Sequence, residues 1–262
     1  MSMLEAVVAT VRDVAHAEVM PRYLKVAHGH KADGSLCTEA DIAAQDALAR
    51  RLATIANAPI LGEEMTSDEQ SDRWLAGNAG VWCVDPIDGT SNFVAGIPCF
   101  AVSVAYMQGG RPVLGVIYNP ITDETFHAEQ GAGAYLNQSR LPLKPPASEL
   151  RKAMAGVDLK RLPRTLAAAM VSERPFYSQR NCGASTLEWC YTAAGRYDVY
   201  VHGGQRLWDY AAGALILAEA GGAMASLDHD DFWGAPLWKR SVIATASPAL
   251  FPAWRDWLRG HV

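Results

Sequence analysis

The first part of the chain alternates helical and extended patterns of hydrophobic residues. Apolar residues near the N-terminus recur at helical spacing and predict an amphipathic helix over residues 3 to about 27. Thr38 and Asp41 have the spacing of a capping box, so a second helix is expected to begin there and to bury Ile42. The polar residues 67–78 are expected to form a loop.

Short apolar runs follow and predict strands. Residues 59–61 and 81–84 indicate two short buried strands, and the β-rich runs on either side of Gly109-Gly110 predict a hairpin. The segment from about 123 to 143 continues the antiparallel pattern. The prolines that come next mark a seam near residue 145.

Beyond the seam, helical and extended segments alternate. Helices are predicted over residues 183–195, 208–220 and 247–259, and strands over residues 197–201 and 241–245. The pattern therefore changes from an antiparallel half, about 1–145, to an α/β half, 146–262. This order predicts one layered α+β domain that spans residues 1–262.

Composition narrows the class of protein. The 262 residues are 50% hydrophobic, which supplies a sizeable core and excludes disorder of the whole chain. A net charge of −5 makes nucleic acid an unexpected partner, and the lack of a long apolar run makes a membrane span unexpected. Five cysteines without a CxxC pair favour reduced thiols and a cytoplasmic location, and they disfavour a structural zinc site.

The segment Asp85-Pro86-Ile87-Asp88-Gly89-Thr90 carries the strongest chemical signal. It follows a predicted buried strand, and Gly89 permits a tight turn into a helix. Two carboxylates three residues apart can then face one cation, and oxygen ligands suit Mg²⁺. The alternative is an ordinary turn in which each Asp serves as a cap or turn residue.

Acidic residues at two other predicted element ends support the metal interpretation. Glu63 and Glu64 follow a strand, and Asp209 precedes a helix rich in small residues. Alone, either glutamate would be a solvated charge and Asp209 an N-cap. If the three ends converge, they form a multi-metal carboxylate site that can clamp the oxygens of a phosphoryl transfer.

Taken together, three motifs resemble the inositol monophosphatase family, which consists of Mg²⁺-dependent, lithium-sensitive phosphatases. The motifs are residues 62–64, residues 82–93, and residues 208–213 with 219–222. The resemblance covers essentially the whole chain. It implies a layered α-β-α-β-α sandwich, a homodimer, and two or three bound Mg²⁺ ions, with Mn²⁺ as a possible substitute.

The same resemblance implies roles for individual residues. The implied metal ligands are Glu63, Asp85, the Ile87 carbonyl, Asp88 and Asp209. The implied catalytic residues are Asp41 and Thr90, which orient and deprotonate the attacking water, together with Glu63. Asp41 can also serve in its capping box, since the two roles are compatible.

Substrate contacts are implied for a further set of residues, namely Lys31, Asp88, Gly89, Thr90, Gly183, Ala184, Ser185, His202 and Arg206. Lys31 could equally be a solvated loop residue, Arg206 a surface charge, and residues 183–185 an ordinary helix start. His202 is a departure, because animal enzymes of the family carry at this place a Glu that binds an inositol hydroxyl. It predicts a preference for a substrate with a carboxylate or second phosphate, unless His202 is only a strand-end residue.

The expected function is hydrolysis of a small polyol or sugar phosphate. Histidinol phosphate and a 3′-phosphorylated nucleotide are alternative substrates within the family. A non-catalytic protein associated with RNA polymerase is the alternative from another class, and the complete set of predicted ligands disfavours it.

Overall fold

A computed structural model describes residues 1–25, 28–30, 36–77 and 79–262. The helices are α1 (Met3–Val14), α2 (Glu39–Ile55), α3 (Ser67–Ala76), α4 (Thr90–Ala95), α5 (Arg164–Glu173), α6 (Ser185–Ala193), α7 (Leu207–Glu219) and α8 (Phe251–Arg259). The strands are β1 (His28–His30), β2 (Leu36–Thr38), β3 (Ile60–Gly62), β4 (Val81–Asp88), β5 (Ala101–Gln108), β6 (Arg111–Asn119), β7 (Glu124–Glu129), β8 (Gly133–Leu136), β9 (Ser139–Arg140), β10 (Met154–Asp158), β11 (Ser178–Arg180), β12 (Val199–Gln205), β13 (Ala223–Ala225) and β14 (Arg240–Thr245).

Within the described residues, the strands form two large sheets and one antiparallel pair of β1 with β2. The first large sheet has seven strands in the order β3-β4-β5-β6-β7-β8-β9, in which β3 and β4 pair in parallel and the other neighbours pair antiparallel. The second has five strands in the order β11-β10-β12-β14-β13, with β10 parallel to β11 and β12. The hairpin predicted at Gly109-Gly110 joins β5 to β6, and both glycines have positive φ angles.

Helices cover and separate the two sheets in five layers. α1 and α2 pack on the outer face of the seven-stranded sheet, where Val11, Leu48 and Trp82 share one buried cluster. α6 and α7 lie between the sheets, and α5 and α8 cover the far face of the five-stranded sheet around Trp254. The predicted α-β-α-β-α sandwich is confirmed.

α7 owes its central position to its composition. Its residues from Leu207 to Leu217 are buried except Asp209, and a helix that is apolar on all sides is stable only between other layers. Ala212 packs against Gly115 of β6, where a Cβ on the glycine would lie 3.0 Å from the Ala212 backbone. Small residues therefore let this helix approach the seven-stranded sheet closely.

Three predictions about local structure were wrong. The first helical segment ends at Arg22 after a π-helical turn over Ala15–Val19, because Pro21 lacks an N–H and its ring disturbs the preceding turn. Ile42 is 52% exposed, since α2 buries the face that carries Asp41 and Leu48.

The expected loop over residues 67–78 is largely helix α3. Thr66 caps this helix with Glu69 in a capping box, a sequence signature that outweighs the polar composition. The pattern also missed α5 and the strands β10, β11 and β13. Three of these segments are only three to five residues long, too short to show a period.

No helix within the described ranges has both the length and the apolar character needed to cross a membrane.

The close approach of α7 to the first sheet can be tested by a change in side-chain size. Ala212→Leu should lower the free energy of unfolding by about 1–3 kcal/mol, because overpacking forces the helix away from β6. Ala168→Leu, at an exposed position of α5, should change it by less than about 0.5 kcal/mol. Urea unfolding of the three proteins measures both values. Equal stability of the two variants would contradict the close packing.

Candidate active site

The parallel pairing of β3 and β4 brings the first two acidic motifs together. Gly62 lies opposite Val84, so Glu63 and Asp85 leave the same edge of the sheet side by side. The side chain of Gln70 in α3 donates to the carbonyls of Gly62 and Met65, each at 3.1 Å, and fixes the turn that carries Glu63. The helix that the sequence pattern missed thus positions a predicted metal ligand.

A bulge in β4 turns Asp85 and Asp88 toward one point. Residues three apart on a regular strand face opposite sides, but the pairing of β4 with β5 shifts register between these two residues. Pro86 cannot donate to the ladder and sits in the bulge. Gly89 follows with a φ of 90°, a conformation that favours glycine, and starts α4.

Asp209 completes the cluster from the central layer. It lies in the first turn of α7, and its Oδ2 accepts a hydrogen bond from the Arg206 backbone N–H at 2.8 Å. One carboxylate oxygen from each of Asp85, Asp88 and Asp209 lies within 4.8 Å of the others. Elements from two layers therefore bring these three carboxylates together.

Burial and mutual repulsion perturb these carboxyl groups. Burial raises the pKa of Asp85 well above its usual value, and the charges of Glu63, Asp88 and Asp209 raise it further. Burial, with the charges of Asp88 and Glu63, also raises the pKa of Asp209 well above normal. A divalent cation fits this site, because it would neutralise the repulsion and because every donor in the cluster is an oxygen.

Asp88 is held in place by the start of α6. Its Oδ2 accepts the backbone N–H of Thr186 at 2.7 Å and the Thr186 hydroxyl at 2.6 Å, and Ser185 donates to its Oδ1 at 3.3 Å. Burial raises the pKa of Asp88, and the hydrogen bonds from Thr186 and Ser185 partly offset that rise. Thr186 was not among the predicted site residues, although its place at a helix start after Gly183 and Ser185 was a usable signal.

Asp41 and Thr90 meet beside the cluster. The Thr90 hydroxyl lies 3.3 Å from Oδ1 of Asp41 and 3.0 Å from the Ile87 carbonyl oxygen. Oδ2 of Asp41 accepts from the Thr38 backbone N–H at 2.7 Å and from its hydroxyl at 2.6 Å. The capping box and the contact with Thr90 therefore use different oxygens of one fully buried carboxylate.

A cavity of about 590 Å³ opens over the acidic residues. Several residues with predicted roles line it, namely Glu63, Asp88, Gly183, Ala184, Ser185, His202, Arg206 and Asp209. Among the described residues, the lining does not include Asp41, Asp85, Ile87, Gly89 or Thr90. Lys31 lies outside the described residues. The individual roles of all these residues remain predictions.

His202 lies at the cavity wall with both ring nitrogens in contact with protein groups. Its Nε2 is 3.4 Å from Oδ2 of Asp158, and its Nδ1 accepts the Gly204 backbone N–H at 3.1 Å. With Nδ1 as an acceptor, Nε2 is the nitrogen that can donate to Asp158. Burial acts to raise the pKa of Asp158, but the hydrogen bond from His202 and the charge of Lys160 lower it overall. A substrate contact through His202 remains a prediction, and the structure adds Asp158 beside it.

Glu188 of α6 is a second cavity residue that sequence reasoning missed. Its Oε1 accepts the Cys182 backbone N–H at 2.9 Å, which ties α6 to the segment before Gly183. Burial raises the pKa of Glu188 to about 7, although the hydrogen bonds from Cys182 and Tyr200 act against this rise. The only sequence signal was one acidic residue inside an otherwise uncharged helix.

The raised pKa of Glu188 predicts how stability changes with pH. Below its unfolded value of 4.5 both states hold the proton, and as the pH rises toward 7 the folded state keeps a proton that the unfolded chain has lost. Glu188 therefore costs more stability as the pH rises, up to roughly 3 kcal/mol above pH 7. Glu188→Gln keeps the acceptor for Cys182 and should be more stable than the original protein by about this amount at pH 8, but not at pH 4.5.

Urea unfolding of the metal-free protein at both pH values measures the difference. Glu149→Gln, at an exposed position, serves as the control and should show little change at either pH. A stability gain for Glu188→Gln that is the same at pH 4.5 and pH 8 would contradict the raised pKa.

Known proteins are similar to this chain in both sequence and architecture. Inositol monophosphatase 1 of Solanum lycopersicum is 36% identical over 212 residues, which are 78% of this chain and 76% of that protein. Nus factor SuhB of Pasteurella multocida is 38% identical over 156 residues, so the match spans only 57% of its length. The solved structure of a Thermotoga maritima IMPase superposes with a TM-score of 0.83 at 27% identity and covers 99% of this chain and 98% of its own.

The match to the family extends along nearly the whole chain. The model of the inositol monophosphatase family aligns with residues 2–256, which include the three acidic motifs and the residues that surround them in the cavity. The chain belongs to the inositol monophosphatase family.

Proposed function

We propose that this protein is a Mg²⁺-dependent phosphatase that hydrolyses small phosphate monoesters. The observation that carries the proposal is the convergence of Asp85, Asp88 and Asp209 within 4.8 Å beneath an open cavity. Membership of the family supports the same chemistry.

The residues fit a metal-assisted hydrolysis. Asp85, Asp88 and Asp209 would hold Mg²⁺, with Glu63 and the Ile87 carbonyl as further ligands. Bound there, Mg²⁺ supplies Lewis acidity toward phosphate oxygens and makes water more acidic. The protein itself holds its ligands rigid through Thr186, Gln70 and the backbone of Arg206.

Proton removal falls to Thr90 and Asp41. A water molecule that donates to the Thr90 hydroxyl can lose its proton toward Asp41 if that hydroxyl in turn donates to Oδ1. The Ile87 carbonyl competes for the same hydroxyl hydrogen at 3.0 Å. If the Ile87 carbonyl held a cation, the Thr90 hydroxyl would be left to donate to Asp41.

The substrate itself is open among several phosphate esters. Polyol and sugar phosphates are the leading class, and histidinol phosphate and 3′-phosphorylated nucleotides are the alternatives. The relative named a Nus factor supports a second candidate function, a regulatory role in association with RNA polymerase. A variant without phosphatase activity separates the two functions, since only the regulatory role would survive in it.

Metal dependence is the first test. A chelator should abolish hydrolysis of p-nitrophenyl phosphate and added Mg²⁺ should restore it, because the acidic cluster binds no phosphate without a cation. Asp85→Asn should lower Mg²⁺ affinity by removing one charge from the cluster. The release of p-nitrophenol measures both effects. Undiminished activity in excess chelator would refute the proposal.

The proton relay has its own test. Thr90→Ala should lower kcat by about 10²- to 10⁴-fold, the usual contribution of general base catalysis, while Mg²⁺ affinity stays near its original value. Thr90→Ser, which restores the hydroxyl, should recover most of kcat. Thr54→Ala removes an exposed hydroxyl and should have no effect. Near-normal kcat in Thr90→Ala would instead make Glu63 the better candidate base.

A further inference from the structure

Four basic side chains line the same cavity as the acidic cluster: Lys160, Arg161, Arg206 and Lys239. All four are exposed at its wall. The proposed hydrolysis of one phosphate at the metal site does not use these four side chains, so they could bind another part of the substrate.

The fold of the second sheet gathers these residues at one edge. β10 and β12 run parallel and β14 runs antiparallel to β12, so the ends of β10 and β12 meet the start of β14. Arg161 follows β10, Arg206 follows β12 and Lys239 precedes β14. Glu63, which follows β3, and Asp88 of β4 reach the cavity from the other sheet, and α7 contributes Asp209.

Two glycines make the approach of these segments possible. The backbone of Arg161 packs directly on Gly203, where no side chain could fit. The side chain of Lys239 crosses Gly204, since a Cβ there would lie 3.0 Å from the Lys239 Cε. Arg206 holds the neighbouring segment by donating from Nη1 to the Trp238 carbonyl at 3.3 Å. Arg161 and Lys239 are thus brought against the end of β12, next to Arg206.

Among the residues that the structure describes, most of these basic side chains lie beyond ion-pair distance of any carboxylate. Lys160 lies 3.8 Å from Asp158, which His202 also contacts. In the part of the chain that the structure describes, no carboxylate oxygen lies within 4.0 Å of a side-chain nitrogen of Arg161, Arg206 or Lys239. Arg161 is nevertheless near enough to the acidic cluster for its charge to lower the pKa of Asp209 against the effect of burial.

We propose that Arg161, Arg206 and Lys239 form an anion subsite, and that the preferred substrate carries a second phosphate group in addition to the one that is hydrolysed. This inference rests on the proposed phosphatase function and names its substrate class. Arginine binds phosphate through paired, charge-assisted hydrogen bonds, and lysine adds a mobile charge. The His202 ring adds no competing acceptor, because both its nitrogens are already engaged.

The subsite and the metal site divide the cavity by charge. The reacting phosphate goes to the cation-loaded carboxylates, and the second phosphate goes to the basic residues of the other sheet. A cavity of about 590 Å³ has room for a sugar between the two groups. A polyol with one phosphate would leave the basic residues without a partner.

Matched sugars test the proposal directly. We would compare glucose 1,6-bisphosphate with glucose 1-phosphate and glucose 6-phosphate at fixed free Mg²⁺, and 6-phosphogluconate with glucose 6-phosphate to score a carboxylate. The expected result is a kcat/KM for the bisphosphate at least about tenfold above either monophosphate, the value of one charge-assisted hydrogen bond. A carboxylate on the sugar should raise kcat/KM by less than a second phosphate does.

Single variants assign this preference to residues. Arg161→Gln and Lys239→Gln should each lower the ratio of bisphosphate to monophosphate kcat/KM by about tenfold. Arg164→Gln removes an exposed arginine three residues from Arg161, outside the cavity, and should leave the ratio unchanged. A ratio near one in the original protein, an unchanged ratio in both cavity variants, or an equal gain from the carboxylate would overturn the proposal.

Calorimetric binding of the same sugars in the presence of Mg²⁺ separates this inference from the proposed function. Tighter binding of the bisphosphate that Arg161→Gln weakens, without hydrolysis of any sugar, would support the subsite and refute the phosphatase. Hydrolysis of p-nitrophenyl phosphate with equal binding of all the sugars would refute the subsite and leave the phosphatase standing.

Discussion

Like charges held close together in a buried place are the constraint on which this structure depends. Asp85, Asp88 and Asp209 would separate in water, and burial makes their repulsion stronger. The fold overcomes this with local supports, namely the paired hydrogen bonds of Thr186, the bulge in β4 and the backbone N–H of Arg206. Holding the carboxylates close together lowers the stability of the metal-free protein. The same rigid arrangement would offer a cation a preformed set of oxygen ligands.

Several side chains serve the fold and the site at once. Asp41 caps α2 with one carboxylate oxygen and faces Thr90 with the other. Asp209 stabilises the start of α7 and also belongs to the acidic cluster. The capping interpretation and the chemical interpretation of these residues were therefore not rivals, because a carboxylate has two oxygens and a helix start needs only one of them.

The two sheets contribute opposite charge to one cavity. The first sheet carries the acidic residues at the ends of β3 and β4, and the second carries basic residues at the ends of β10 and β12 and at the start of β14. α6 and α7 lie between the sheets and join the two sides, since α6 holds Asp88 while α7 presents Asp209.

The sequence by itself determined the acidic motifs, the family and the order of most elements, because capping boxes, glycine turns and motif spacing act over a few residues. It predicted the capping box at Thr38, the hairpin at Gly109-Gly110 and several of the residues that line the cavity. Only the tertiary structure decided that Glu188, Asp158, Arg161 and Lys239 share this cavity, and that both nitrogens of His202 are engaged. Such neighbours are set by strand register and layer packing between distant segments, which leave no local pattern in the chain.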